Sequence, residues 1–134
     1  MASFTLNNFA GTHQICELEN IAMNGAAGTR TIEVAFAGVR PDTVAVSAQL
    51  TQVAATNLKV TCYSGTKQDG SDASQIQSRA ISSGASTVSD MVDTGPADTL
   101  NLEFSVVGKR YFKAVFSADN AGASDILDGQ VSFA

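Results

Sequence analysis

The sequence predicts an all-β fold, an antiparallel two-sheet β-sandwich of jelly-roll-like form. Three observations predict it: apolar residues recur with period two, turn chemistry returns about every ten residues, and a period of 3.6 is nearly absent. The chain has 134 residues, enough for one hydrophobic core and too few for two ordinary ones. Residues 12–134 are therefore expected to form one domain, with 1–11 as an amino-terminal arm or first edge strand.

The elements follow in chain order. Met1 to Gly11 sets Phe4, Leu6 and Phe9 among small polar residues and ends on a glycine. Such a segment is either the first core strand or an arm that orders on a neighbouring subunit, and Phe4, Leu6 and Phe9 are the candidate partner-binding residues. A strand is expected from His13 to Glu19. Arg30 to Phe36 alternates clearly, with Ile32, Val34 and Phe36 on one face and Thr31 and Glu33 on the other. Val44, Val46, Ala48 and Leu50 repeat the pattern, as do Leu58, Val60 and Cys62. Further strands are expected at Gln75 to Ile81 and Thr87 to Val92.

Leu100, Leu102, Phe104 and Val106 give the strongest alternation, followed by Arg110 to Ser117 and Gln130 to Phe133. Such alternation belongs to half-buried strands of antiparallel sheets, because parallel strands covered on both faces read as unbroken apolar runs. Between the runs stand Asn24 to Gly28, Gly38 to Asp42, Gln68 to Asp72, Ser82 to Ala85, Thr94 to Asp98 and Asp119 to Gly122, all of them turn chemistry. Ser124 to Gly129 fits a single capped helical turn or a tight β-turn.

Composition narrows the function. Charged residues make up 16% of the chain, against about a quarter in an average protein. Uncharged polar groups therefore cover the surface, which suits contact with other proteins. A net charge of −5 argues against nucleic acid as the main partner, since phosphate binding draws on clustered Lys and Arg. Lys109 and Arg110 are adjacent, but in a strand Lys109, Tyr111 and Lys113 would share one face and Arg110 the other. No run approaches the ~20 apolar residues of a membrane-spanning helix, so no membrane role is expected. Met1 to Phe4 lacks the basic and apolar regions of a secretory signal, which places synthesis in a cytoplasm.

Catalytic constellations are not found. The single histidine, His13, lies three residues before Cys16 with opposite strand parity, which separates the two across a sheet. Glu33 and Glu103 are paired strand carboxylates of the kind sandwich glycosidases use, but the chain has no Trp and two Tyr with which to stack a sugar. No catalytic, cofactor-binding or metal residue is assigned, and no cofactor is expected. The Asp69 to Asp72 loop and the group Asp119, Asp125 and Asp128 are read as turn-forming aspartates, with calcium as the alternative. Cys16 and Cys62 are read as buried thiols, with a disulfide open if their strands adjoin.

The segments Asn57 to Gly65, Ile76 to Ile81 and Val107 to Ser117 are similar in character to those of small structural proteins of tailed bacteriophages. The likeness is to jelly-roll capsid decoration or cementing proteins and extends over most of the chain without a diagnostic motif. That resemblance implies a non-enzymatic virion protein, made in the host cytoplasm, that binds and stabilises an outer shell. Its partners would be the major capsid protein or another virion protein, and further copies of itself in a homo-oligomer. The alternative is a receptor- or carbohydrate-binding module of a tail or fibre.

Overall fold

The computed structural model describes residues 2–7, 14–25, 28–51, 54–55, 58–76, 91–93 and 98–134. Ten strands lie among them: β1 (Ala2–Asn7), β2 (Gln14–Ala22), β3 (Thr29–Ala37), β4 (Thr43–Thr51), β5 (Leu58–Gly65), β6 (Ser74–Gln75), β7 (Met91–Asp93), β8 (Asp98–Ser105), β9 (Tyr111–Ser117) and β10 (Ile126–Phe133). One sheet has the order β1-β3-β9-β5, with β6 and β7 both pairing with the far edge of β5. The other has the order β2-β10-β4-β8.

The pairing is nested. β2 pairs with β10, β3 with β9, β4 with β8 and β5 with β7, all antiparallel. The chain is thus one long hairpin from β2 to β10, and wrapping it brings β10 beside β4 and β9 beside β5. That connectivity is a jelly roll. β1 falls outside the nest. It runs parallel to β3, from Ala2 opposite Ile32 to Asn7 opposite Ala37, so the expected antiparallel sandwich contains one parallel pair. Parallel neighbours need a crossover, and here β2 in the opposite sheet supplies it.

Alternation explains the packing. Ile32, Val34 and Phe36 from β3, Leu58, Val60 and Cys62 from β5, and Phe112, Ala114 and Phe116 from β9 face inward against Val44, Val46, Ala48 and Leu50 of β4. Leu127, Val131 and Phe133 of β10 complete the centre, with Leu102 and Phe104 of β8 beside them. Glu103 between these two is exposed, as its strand parity demands. Phe133 stands edge-on to Phe36 and to Phe112, at 5.3 and 6.3 Å between centroids.

Several expected bounds move. The first long strand runs from Gln14 to Ala22, and the one expected from Thr87 to Val92 is described only as Met91–Asp93. Of the strand expected from Gln75 to Ile81, Ser74–Gln75 is seen; 77–81 lie outside the described residues. Ser124 to Gly129 is not a capped turn. β10 begins at Ile126, because Leu127 is drawn into the core and a register shift between Leu127 and Gly129 absorbs the irregularity.

Candidate functional site

The candidate site residues divide between the two sheets and the two ends of the sandwich. At the arm, Phe4 is half-buried and packs against the chain's own core. Leu6 lies two residues on in β1, in register with Phe36, and Phe9 is outside the described residues. Ser3 faces the opposite way to Phe4, and its hydroxyl hydrogen-bonds Oε1 of Glu33 on β3.

Glu33 belongs to a row of polar side chains across the outer face of that sheet. Its register partners are Ser3 on one side and Lys113 on the other, followed by Tyr63 and Gln75. The Lys113 ammonium stands over the Tyr63 ring, 4.5 Å from its centroid. Oε2 of Glu33 accepts the Tyr111 hydroxyl. Burial, and then the hydrogen bond and charge of Glu33, push the Tyr111 phenol well above its ordinary pKa, so it stays protonated as a donor. Tyr111 is only 4% exposed because the 66–72 loop lies across it. A Cβ at Gly70 would sit 2.7 Å from that ring, so only glycine lets the loop approach so closely.

This arrangement corrects two expectations. Lys109 and Arg110 precede β9, in the turn after β8, so they share no strand face with Lys113. Glu33 and Glu103 stand on the outer faces of different sheets, so they cannot flank one glycosidic bond.

Asp72 organises the 66–72 loop. It accepts the Thr66 hydroxyl and the backbone N–H groups of Thr66 and Lys67, and these bonds, the hydroxyl first, lower its pKa to about 2. Asp69 accepts the Ser71 N–H, a bond that also lowers its pKa. The expected titration has a definite sign. A carboxyl depressed from an ordinary value near 4 supports the loop above about pH 4 and loses that support as pH falls through about 2. The Thr66 and Lys67 amide resonances should therefore shift with a midpoint near pH 2. A midpoint near 4 would show that these bonds are absent in solution.

Asp125 and Asp128, two of the acids read as turn formers, are held by main-chain donors. At the other end of the sandwich Asp125, fully buried, accepts the N–H groups of Ala54, Ala55 and Gly122, and Asp128 accepts that of Asn20. Among the described residues no three His, Cys, Asp or Glu side chains gather as metal ligands would. Cys16 and Cys62 point into the core from opposite sheets as free thiols, and burial raises the pKa of Cys16. His13 lies outside the described residues.

Two depressions mark the outer face of the β2-β10-β4-β8 sheet. One, of about 320 Å³, is lined by Glu17, Glu19, Ser47, Gln49, Asp128 and Gln130 among others. The second lies beside it, between β4 and β8, over Ala45, Asn101 and Glu103. Neither lining includes an aromatic ring. The sequence reading passed over three exposed large apolar residues, Ile15, Val39 and Val107. Val39 and Val107 sit inside turn segments, where a β-branched apolar residue is out of place, and that misfit was the available signal.

No family model and no curated protein matches the sequence. Solved structures share its fold. A domain in a crystal structure of tripeptidyl peptidase 2 is similar over 96% of this chain, at 9% identity and a TM-score of 0.54, and the chain spans about a tenth of that protein's length. Weaker likenesses include a Bacillus endospore appendage protein of disulfide-linked pili, at 10% identity and TM-score 0.43, covering 91% of this chain and 86% of that one. The Macrobrachium rosenbergii nodavirus P-domain is similar at 14% identity and TM-score 0.33, covering 91% of this chain and 89% of the other.

Proposed function

We propose that the chain is a non-enzymatic structural protein of a virion, a decoration protein that binds the outside of a capsid shell and stabilises it. The observation that carries the reading is the position of β1. The nested pairs close the jelly roll without it, so β1 is an addition, hydrogen-bonded to β3 along one edge. Its other edge offers a row of main-chain donors and acceptors to which an extended segment of another protein can add. Phe4 is committed to the chain's own core, which leaves the main-chain edge of β1 for a partner. Scarce surface charge supports the same reading. The major capsid protein or another virion protein is the proposed partner, and further copies complete a homo-oligomer.

A carbohydrate- or receptor-binding role finds less support, because the depressions on the outer sheet face lack the aromatic platform on which sugars stack. The test uses emptied or expanded shells of the parent phage. The protein should bind them saturably and raise their melting temperature, since a ligand of the assembled state stabilises that state. A chain lacking residues 2–10 should bind more weakly. No binding at micromolar protein would overturn the proposal.

A further inference from the structure

A glycine that follows asparagine or aspartate opens the way to a covalent rearrangement, because no side chain crowds the main-chain nitrogen as it approaches the acyl carbon. Of the seven asparagines only Asn24 precedes a glycine, and among the aspartates Asp69 and Asp128 do.

The structure separates these three pairs. At Asp69-Gly70 both reacting groups are occupied: the carboxylate accepts the Ser71 N–H, and the Gly70 N–H donates to the Lys67 carbonyl at 2.9 Å. Asp128-Gly129 lies within β10, where Gly129 pairs with Leu18 on one side and Ala48 on the other, and the Asp128 carboxylate accepts the Asn20 N–H. Asn24-Gly25 differs. Both residues are exposed in the connection from β2 to β3, and among the described residues no hydrogen bond uses the Asn24 carboxamide or the Gly25 N–H. Gly25 has a φ of +79°, and a Cβ there would meet no atom within 4 Å, so a ring has room to form on that side.

The carbonyls of the same pair are held. Gly25 accepts the Gly28 N–H at 2.8 Å. The main-chain oxygen of Asn24 accepts an Arg30 guanidinium N–H at 3.0 Å, and the Ala22 and Thr29 carbonyls fix that guanidinium at 2.7 and 2.8 Å.

We propose that Asn24 is a site of spontaneous deamidation and that Arg30 steers its product to isoaspartate. The inference stands apart from the assembly reading. The Gly25 nitrogen gives its proton to solvent base and bonds to Cγ of Asn24. The Cγ–Nδ2 bond breaks, and ammonia leaves with a proton taken from water, which closes a five-membered succinimide. Water then opens the ring at one of two carbons. Attack at Cγ leaves an ordinary backbone with an aspartate at position 24. Attack at the main-chain carbonyl carbon breaks its bond to the Gly25 nitrogen, frees that carbon as a carboxylate and routes the chain through Cγ. Nothing is oxidised or reduced, and in sum water replaces ammonia.

Arg30 distinguishes the two openings. The oxygen it holds becomes the oxyanion when water attacks the main-chain carbon, so the cation stabilises that attack and not the one at Cγ. The freed carboxylate then remains beside the guanidinium, and a bond to a neutral carbonyl becomes a charge-assisted one.

The test is peptide mapping by mass spectrometry after incubation in mildly alkaline buffer, on the folded chain and on the same chain in urea. In the folded chain the Asn24 peptide should lose the mass of ammonia and gain that of water, while Asp69 and Asp128 remain ordinary aspartate; in urea all three positions should yield isoaspartate. The ratio of isoaspartate to aspartate at position 24 should be at least about twofold higher in the folded chain, because urea releases the carbonyl from Arg30. Arg30→Gln, checked for an intact circular dichroism melt, should lower the folded ratio to the urea value, and if that variant does not fold the urea comparison decides alone. Asn24 left intact in the folded chain while it converts in urea would overturn the site. Equal ratios in the two conditions would overturn the part given to Arg30.

Discussion

Replacing Asp125 with alanine should destabilise the protein by about 2–4 kcal/mol, a large loss for one side chain outside the apolar core. The carboxylate is fully buried, and its oxygens lie 3.1 Å from the Ala54 and Ala55 nitrogens and 2.7 Å from that of Gly122. Its own carbonyl accepts the Met23 N–H at 2.8 Å. One residue therefore fastens three connections, β2 to β3, β4 to β5 and β9 to β10. Alanine leaves three main-chain donors without the buried acceptor that gathers them. Asp125→Asn keeps one acceptor oxygen and sets an NH2 group against a donor, so it should lose about half as much. Urea titration of the three proteins checks this order. A loss under about 1 kcal/mol for the alanine variant would mean that water replaces the carboxylate.

The second large effect belongs to Phe133. Truncation to alanine should cost about 3–5 kcal/mol. The ring is wholly buried, near the end of β10, and meets Phe36 and Phe112 edge to face, so it joins the two sheets where the sandwich closes. Removing it opens a cavity bounded by rings from the opposite sheet, and their strands are held in register by main-chain bonds, which limits collapse. Val39→Ala, at an exposed turn tip, should change stability by less than about 0.5 kcal/mol and serves as the comparison. Equal losses at the two positions in a denaturant titration would contradict the assigned core.

Most of this core was legible because alternation is a local property. Ile32-Val34-Phe36 and Leu102-Phe104 show their inward faces within five residues of sequence, and the structure buries each of them. Partnership was not legible. Nothing near Glu33 announces Tyr111, 78 residues away, and nothing near Asp125 announces Ala54, 71 residues away. Glu33 and Glu103 read as equivalent strand acids because parity gives the side of a strand and not the sheet that the strand joins. The start of β10 was missed for a related reason. Asp128 and Gly129 carry turn chemistry, yet Leu127 is buried and β10 pairs with strands on both sides, and those tertiary contacts outweigh local preference.

The nested pairing also governs when the protein can acquire its structure during synthesis. β10, which follows the other nine strands in chain order, occupies an interior position between β2 and β4, and β9 likewise separates β3 from β5. On the ribosome, β2 through β5 therefore emerge with their central partners still unmade, and neither sheet is complete until β9 or β10 has been translated. Contacts this distant in sequence make folding slow, and the waiting strands expose the same unpaired edges that an assembly protein uses on purpose. A polypeptide cut short before Ile126 holds every strand of the β1-β3-β9-β5 sheet but only the β4-β8 pair and an unattached β2 of the other. It lacks the strand that joins β2 to β4, so the finished sheet would present its apolar inner face without the cover that β2 and β10 supply.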